Sequence, residues 1–371
     1  MTFDRASLPP MDVAARADRL RSGFDAAECD ALLVTNLTNI RYLTGFTGSA
    51  ALLLVAPDGL VFVTDGRYRD QAADELAAAG VEADIRIGRT TEAQRELLAK
   101  AAGGLARLAL EAEDVSWAQQ RRFDAEWFEA AELVASTGLV EDLRELKDAG
   151  EVARIEAACG IADEALAAVR HRLGEGATEA EVALELEWEM RRRGADGPSF
   201  ETIVASGPNG AQPHHRAGER RIGEGDLVVI DFGALVDGYH SDMTRTLAVG
   251  ALDGTQQRMF DVVRESQAAG VAAVRAGVEA QAVHEVCRSV IREAGWEEAF
   301  LHGTGHGVGL DIHEPPRIST TATGSLADGH VVTVEPGVYL SAHGGVRIED
   351  TVVVTAEGCR PLTLAPKEPA L

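Results

Sequence analysis

The stretch from Asp231 to Asp242 constrains this chain more than any other. It reads as a strand, a tight turn and a returning strand, with a carboxylate on each arm. Val228, Val229 and Ile230 lead in as a buried β-run, and Asp237-Gly238 is a strong signal for a two-residue hairpin turn. Folding the chain back there places Asp231 roughly opposite residues 242 to 244. Two carboxylates held that close repel, so the arrangement is costly unless a cation neutralises it. Taken alone, the pair reads first as two solvated turn aspartates, since acidic residues are common in turns. Three later stretches reverse that reading.

The first runs from Leu301 to Pro316, with His306 set between glycines so that backbone can approach a ligand closely. Its GxGxGxG spacing lacks the Lys-Ser/Thr of a phosphate-binding loop. The second is Val331 to Gly337, where a strand ends in Glu335 before a Pro-Gly turn. In the third, Val346 to Asp350, period-2 alternation puts Arg347 and Glu349 on one face and Val346 and Ile348 on the other. Each alone has a plain reading: a loop histidine, a strand-end glutamate, a surface salt bridge.

At 371 residues the chain has room for two domains. A net charge of −25 argues against a nucleic-acid or anionic-membrane partner, since both require a basic face. Cys29, Cys159, Cys287 and Cys359 are scattered singly, which predicts free thiols in a reducing compartment. Met1-Thr-Phe-Asp-Arg has no apolar signal core, and no run approaches a membrane span, so the expected location is cytoplasmic.

Before residue 140, short apolar runs at 31–35, 51–55, 60–64, 85–87 and 108–110 alternate with helical patterns at 12–27, 70–79, 91–102 and 116–131. That order predicts an α/β domain with a parallel or mixed sheet and no catalytic constellation. Residues 140–173 read as one long helix, and Thr178 with Glu181 as a capping box opening another. Strands and glycine-rich turns follow to about residue 250, then helices at 256–275 and 279–294. Lys367 to Leu371 reads as a frayed tail.

Taken together, Asp231, Asp242, His306, Glu335 and Glu349, in that order and within those motifs, resemble the ligand set of the metallopeptidase family with the pita-bread fold. The proline-specific branch, aminopeptidase P and prolidase, fits best. The segment Phe200 to His214, the segment Gly238 to Thr246 and His313 in His-Glu-Pro-Pro resemble its motifs, and Asn39 to Ser49 resembles its creatinase-type N-terminal domain. The likeness spans nearly the whole chain and is strongest over 198–351.

The resemblance implies an α/β creatinase-like domain over 1–139 and an α+β pita-bread catalytic domain over 140–371. It implies two divalent ions held by Asp231, Asp242, His306, Glu335 and Glu349, with Mn²⁺ suited to the oxygen-rich donor set and Co²⁺ or Zn²⁺ as alternatives. It further implies hydrolysis of the bond before proline in peptide substrates. Glu335 would shuttle the proton, His214 and His313 would stabilise the tetrahedral centre and hold the substrate, and Arg347 would orient Glu349. His215 competes with its neighbour for the role given to His214, and His302 is open between core and site wall. A homodimer is expected. An Xaa-Pro aminopeptidase is the leading expectation, an Xaa-Pro dipeptidase the alternative. A metal-free amidinohydrolase or a binding protein that keeps the fold without chemistry would have lost the ligands that stand here.

Overall fold

The computed structural model describes residues 3–370, which divide into two compact units: residues 11–144, and residues 3–10 with 145–370. The first unit is built on a six-stranded mixed sheet, in spatial order Asp84–Ile87, Gly59–Thr64, Ala51–Ala56, Ala31–Val34, Arg107–Glu111, Glu132–Ser136. The two inner pairings around Ala51–Ala56 are antiparallel and the rest are parallel. The strands expected from the sequence are present. Glu132–Ser136 was not expected; it is an edge strand whose side chains are mostly half-open, so it lacks a buried apolar run. The helix Leu37–Thr44 was not expected either, although Asn36 caps it and Gly45, at φ +77°, stops it. The expected helix at 116–131 is α-helical only over Trp117–Arg122 and widens to a π-turn at Phe123–Trp127, where Phe123 and Trp127 pack edge to face.

In the second unit two helix pairs each cover a sheet. Ala149–Val169 and Glu179–Arg192 bury Ile161, Leu166, Val182 and Leu186 against Val228, Ile230 and Leu247 of a three-stranded sheet, ordered Met243–Ala248, Leu227–Phe232, Ile203–Ser206. Gly254–Ala273 and Ala280–Glu293 are packed beside the five-stranded sheet Glu314–Ile318, Gly305–Gly307, Val331–Val334, Asp350–Val354, Cys359–Pro361, with Val283 and Cys287 against Val332, Val334 and Val352. Gly337–Leu340 pairs with Gly344–Arg347 as a separate ribbon.

The single helix expected at 140–173 is broken. Glu141–Glu145 is a short helix, Leu146 bridges to His330, and Asp148 starts a new helix through a capping box with Glu151. Replacing Asp148 with alanine should destabilise the protein by about 1 kcal/mol in chemical denaturation, the usual size of a lost cap. The frayed tail is also corrected. Lys367 is hydrogen-bonded to Gln267 at 2.9 Å and ion-paired with buried Asp350, and the Pro369 carbonyl accepts from Ala248 at 2.8 Å. Leu371 lies outside the described residues. No helix among the described residues is long and apolar enough to cross a membrane.

Candidate metal centre

The hairpin that opens the site is kinked. Asp237 and Gly238 both take positive φ, 48° and 75°, as a tight hairpin turn demands. The arms then split between two sheets at Gly233, where a Cβ would lie 1.8 Å from the Ser241 carbonyl oxygen, so only glycine admits the crossing. Asp231 lies opposite Thr244, and Asp242 occupies the gap between Tyr239–His240 and Met243–Ala248. His306 is the centre of the three-residue strand Gly305–Gly307. Cβ atoms on either flanking glycine would meet the carbonyls of Thr333 and Pro315 at 2.0 and 2.1 Å, so the bare backbone lets neighbouring chains close around the imidazole. Glu335 follows the strand Val331–Val334, its N–H held by the Thr304 carbonyl at 2.7 Å. Glu349 sits between Gly344–Arg347 and Asp350–Val354, its N–H on the Thr244 carbonyl at 3.1 Å.

All five residues line one cavity of about 380 Å³. One ligand atom each from Asp242, His306 and Glu349 lie within 4.8 Å of one another, and Nε2 of His306 is 3.4 Å from both Asp242 Oδ2 and Glu335 Oε1. The Gly307 carbonyl can only accept, so Nδ1 of His306 carries the proton of their 3.0 Å bond and Nε2 presents a lone pair. Burial pushes the imidazole down to about 3, so it is neutral. A lone pair facing two carboxylates is an acceptor among acceptors.

The carboxylates carry the same signature. Burial, then Glu349, Asp231 and Glu335, push the Asp242 carboxyl well above its usual range. Burial, then Glu335 and Asp231, do the same to Glu349. Burial above all raises Glu335 to about 7. Asp231 Oδ1 and Glu349 Oε1 are buried without any hydrogen-bond partner. Orphaned oxygens, crowded like charges and an inward imidazole lone pair are the donor set that a divalent cation completes, so the residues fit the metal.

Arg347, fully buried, ties this set together. It donates to Asp231 Oδ2 at 2.5 Å, Thr244 Oγ1 at 3.0 Å, the Tyr339 hydroxyl at 2.8 Å and the Pro213 carbonyl at 3.3 Å. Thr244 Oγ1 in turn donates to Glu349 Oε2 at 2.7 Å. Arg347 therefore reaches Glu349 only through Thr244 and contacts Asp231 directly. The Tyr339 hydroxyl passes the chain on to Nε2 of His302 at 2.8 Å. His302 thus belongs to the wall of the cavity, held neutral at about 4 by burial.

His214 lines the cavity, while His215 is turned away and bonded to Glu179 at 2.9 Å. His313 also lines it, its ring edge-on to that of His306 with centroids 4.5 Å apart. Its neighbour Glu314 is ion-paired with Lys147 at 2.6 Å, both side chains buried. Tyr339, Thr244 and Arg317 were not singled out from the sequence. Thr244 was within reach, since hairpin register sets it across from Asp231.

Comparison with known proteins identifies the family. The family model described as Metallopeptidase family M24 matches residues 153–356, and that of the Creatinase/Prolidase N-terminal domain matches 16–146. A Bacillus subtilis protein named Uncharacterized peptidase YqhT is 39% identical over 353 residues, 95% of this chain and 99% of that protein. The solved structure of an Xaa-Pro dipeptidase from Bacillus anthracis is similar at TM-score 0.91 and 39% identity, covering 96% of this chain and 99% of that one. The X-Pro aminopeptidase from Thermotoga maritima is similar at 0.87 and 34%, covering 96% and 100%. With a creatinase-type α/β domain ahead of a pita-bread catalytic domain, the chain belongs to metallopeptidase family M24 and is a hydrolase.

Proposed function

We propose that the protein hydrolyses Xaa-Pro bonds at a two-metal site and acts as an Xaa-Pro aminopeptidase. The observation that carries the reading is the convergence of four carboxylates and one neutral imidazole on the floor of one cavity, in a chain whose relatives are named for this activity. Asp231, Asp242, His306, Glu335 and Glu349 would hold the ions, and Mn²⁺ is the assignment that the oxygen-rich set favours. When bound, the ions supply Lewis-acid chemistry, polarising a carbonyl and acidifying water near neutral pH.

Hydrolysis adds water to the carbonyl carbon before proline, and the ring nitrogen leaves as a secondary amine that must receive a proton. Glu335, buried and facing the cavity, carries that proton. His214 and His313 project from two loops into the same cavity, where they hold the substrate and stabilise the tetrahedral centre. Arg347 fixes Asp231 directly and Glu349 through Thr244. The domain division near residue 140, a homodimeric assembly and a cytoplasmic location complete the proposal, resting on the family resemblance and the unpaired cysteines.

One observation favours the dipeptidase reading. Arg317 lines the cavity, and no carboxylate among the described residues is ion-paired with it. An uncommitted guanidinium there suits the free carboxylate of a dipeptide. The two readings separate on a matched pair, Xaa-Pro and Xaa-Pro-Yaa, assayed after metal stripping and reloading with Mn²⁺. Cleavage of the tripeptide supports the aminopeptidase; cleavage of the dipeptide alone supports the dipeptidase. In the second case Arg317→Gln should raise KM for Xaa-Pro by at least about tenfold, the size of one lost charged hydrogen bond.

A further inference from the structure

The loop that carries His214 is anchored from behind by a single buried carboxylate. Glu179, in the first turn of the helix Glu179–Arg192, has no solvent exposure. Its Oε1 accepts from the Ser206 N–H at 2.7 Å, the Ser206 hydroxyl at 2.7 Å and the Asn209 amide at 3.0 Å. Its Oε2 accepts from Asn209 at 3.1 Å, His215 Nε2 at 2.9 Å and the Gly218 N–H at 3.3 Å. Burial alone would raise this carboxyl, but the bonds from Ser206, His215 and Asn209 outweigh it and leave the group below its usual range. Glu179 is therefore ionised and satisfied at neutral pH. An ionised carboxylate only accepts, so His215 Nε2 donates.

The donors flank His214 on both sides in sequence, and His215 is the one next to it. On the other side the Pro213 carbonyl is held by Arg347 at 3.3 Å. His214 is thus bracketed, with Pro213 tied to the metal-centre arginine and His215 tied to Glu179. The second cleft loop repeats the arrangement, since His313 faces the cavity while Glu314 turns back to buried Lys147. In both loops the residue after the cleft histidine makes a buried charged contact, and a side chain held on both sides keeps its imidazole in one place.

We infer that His215 is a positioning residue: its bond to Glu179 sets where the His214 imidazole meets the substrate. The inference rests on the reading that His214 acts on substrate. It also explains why His215, adjacent and chemically identical, does not take that role, since its ring is committed to Glu179.

The test is a double-mutant cycle on Mn²⁺-loaded enzyme, with kcat and KM on the better of the two peptides. His214→Ala is expected to lower kcat/KM by roughly 10²-fold. His215→Ala is expected to lower it by roughly 10- to 100-fold, because misplacement by an ångström is enough for that. Metal content should stay at parent values, and the variant should remain folded at the assay temperature, though with a lower melting temperature because a buried carboxylate loses one of its donors. The double variant should be no worse than His214→Ala within about threefold, because both changes remove one function. His215→Gln, whose amide reaches Glu179, should recover most of the loss, a rescue that a merely structural role would not give. If His214→Ala is impaired but His215→Ala is not, or if the two losses multiply, the inference fails while the function stands. If His214→Ala matches the parent, the role given to His214 fails and the inference with it.

Discussion

Metal-free Asp242→Asn protein is expected to be more stable than the metal-free parent, yet to lose at least roughly 10³-fold in activity once metal is restored. Asp242 is buried among Glu349, Asp231 and Glu335, and its carboxyl is pushed well above its usual range by burial and then by those charges. Without cations the folded state therefore resists its own ionisation. A neutral isostere removes one of the crowded charges, with an expected gain on the order of 1–2 kcal/mol in thermal or urea unfolding. The same change deletes a proposed metal ligand, so the stabilisation expected for the parent on adding Mn²⁺, by mass action, should shrink or vanish.

The pH dependence follows with its sign. Asp242, Glu349 and Glu335 all have folded-state values raised above their unfolded ones, so the folded protein binds more protons. Their contribution is intact below the unfolded range and is lost as pH rises through the folded values. For Glu335 that window runs from its ordinary 4.5 to about 7. The metal-free parent should therefore lose stability between those limits, and saturating metal should abolish the loss. Equal melting temperatures for parent and Asp242→Asn at pH 7.5 without metal would contradict this account.

Arg347→Met is expected to have the largest effect on stability. Four acceptors depend on this guanidinium, and Asp231 Oδ1 already lacks a hydrogen-bond partner, so removal leaves that carboxylate with neither oxygen satisfied. Breaking a buried charged pair from one side costs about 3–5 kcal/mol. Activity of the surviving folded fraction should fall roughly 10- to 100-fold, as when a group orienting a metal ligand is lost. Arg347→Lys should recover little, because an ammonium cannot span Asp231, Thr244, Tyr339 and Pro213 together. Unfolding with metal present, alongside kcat/KM, checks both effects. A methionine variant within about 1 kcal/mol of the parent would count against the structural role.

Much of this site was legible in the sequence, because its residues sit where local chemistry is unambiguous. Asp231 and Asp242 flank a turn that demands positive φ, His306 sits between glycines, and Glu335 precedes Pro-Gly. Alternation placed Val346 and Ile348 in an apolar cluster and sent Arg347 and Glu349 to the cavity. What could not be read were contacts made across strands distant in sequence. Arg347 was expected to orient Glu349, its neighbour on the strand; the structure gives it Asp231, more than a hundred residues away, and leaves Glu349 to Thr244. Nor could spacing separate His214 from His215, since the choice depends on Glu179 in a distant helix. The helix break at Asp148 was readable in its capping box but was masked by the charged periodicity around it. Lys367 looks like tail until Asp350 and Gln267 supply its partners.

The central claim is that this cavity hydrolyses Xaa-Pro bonds only with metal in place. The most direct measurement is titration of stripped protein with Mn²⁺ while following cleavage of Xaa-Pro and Xaa-Pro-Yaa peptides, with Asp242→Asn in parallel. The account predicts no turnover without metal, activity that saturates near two ions per chain, and an inert Asp242→Asn. Turnover that ignores metal, or an Asp242→Asn variant that matches the parent at every Mn²⁺ concentration, would contradict it.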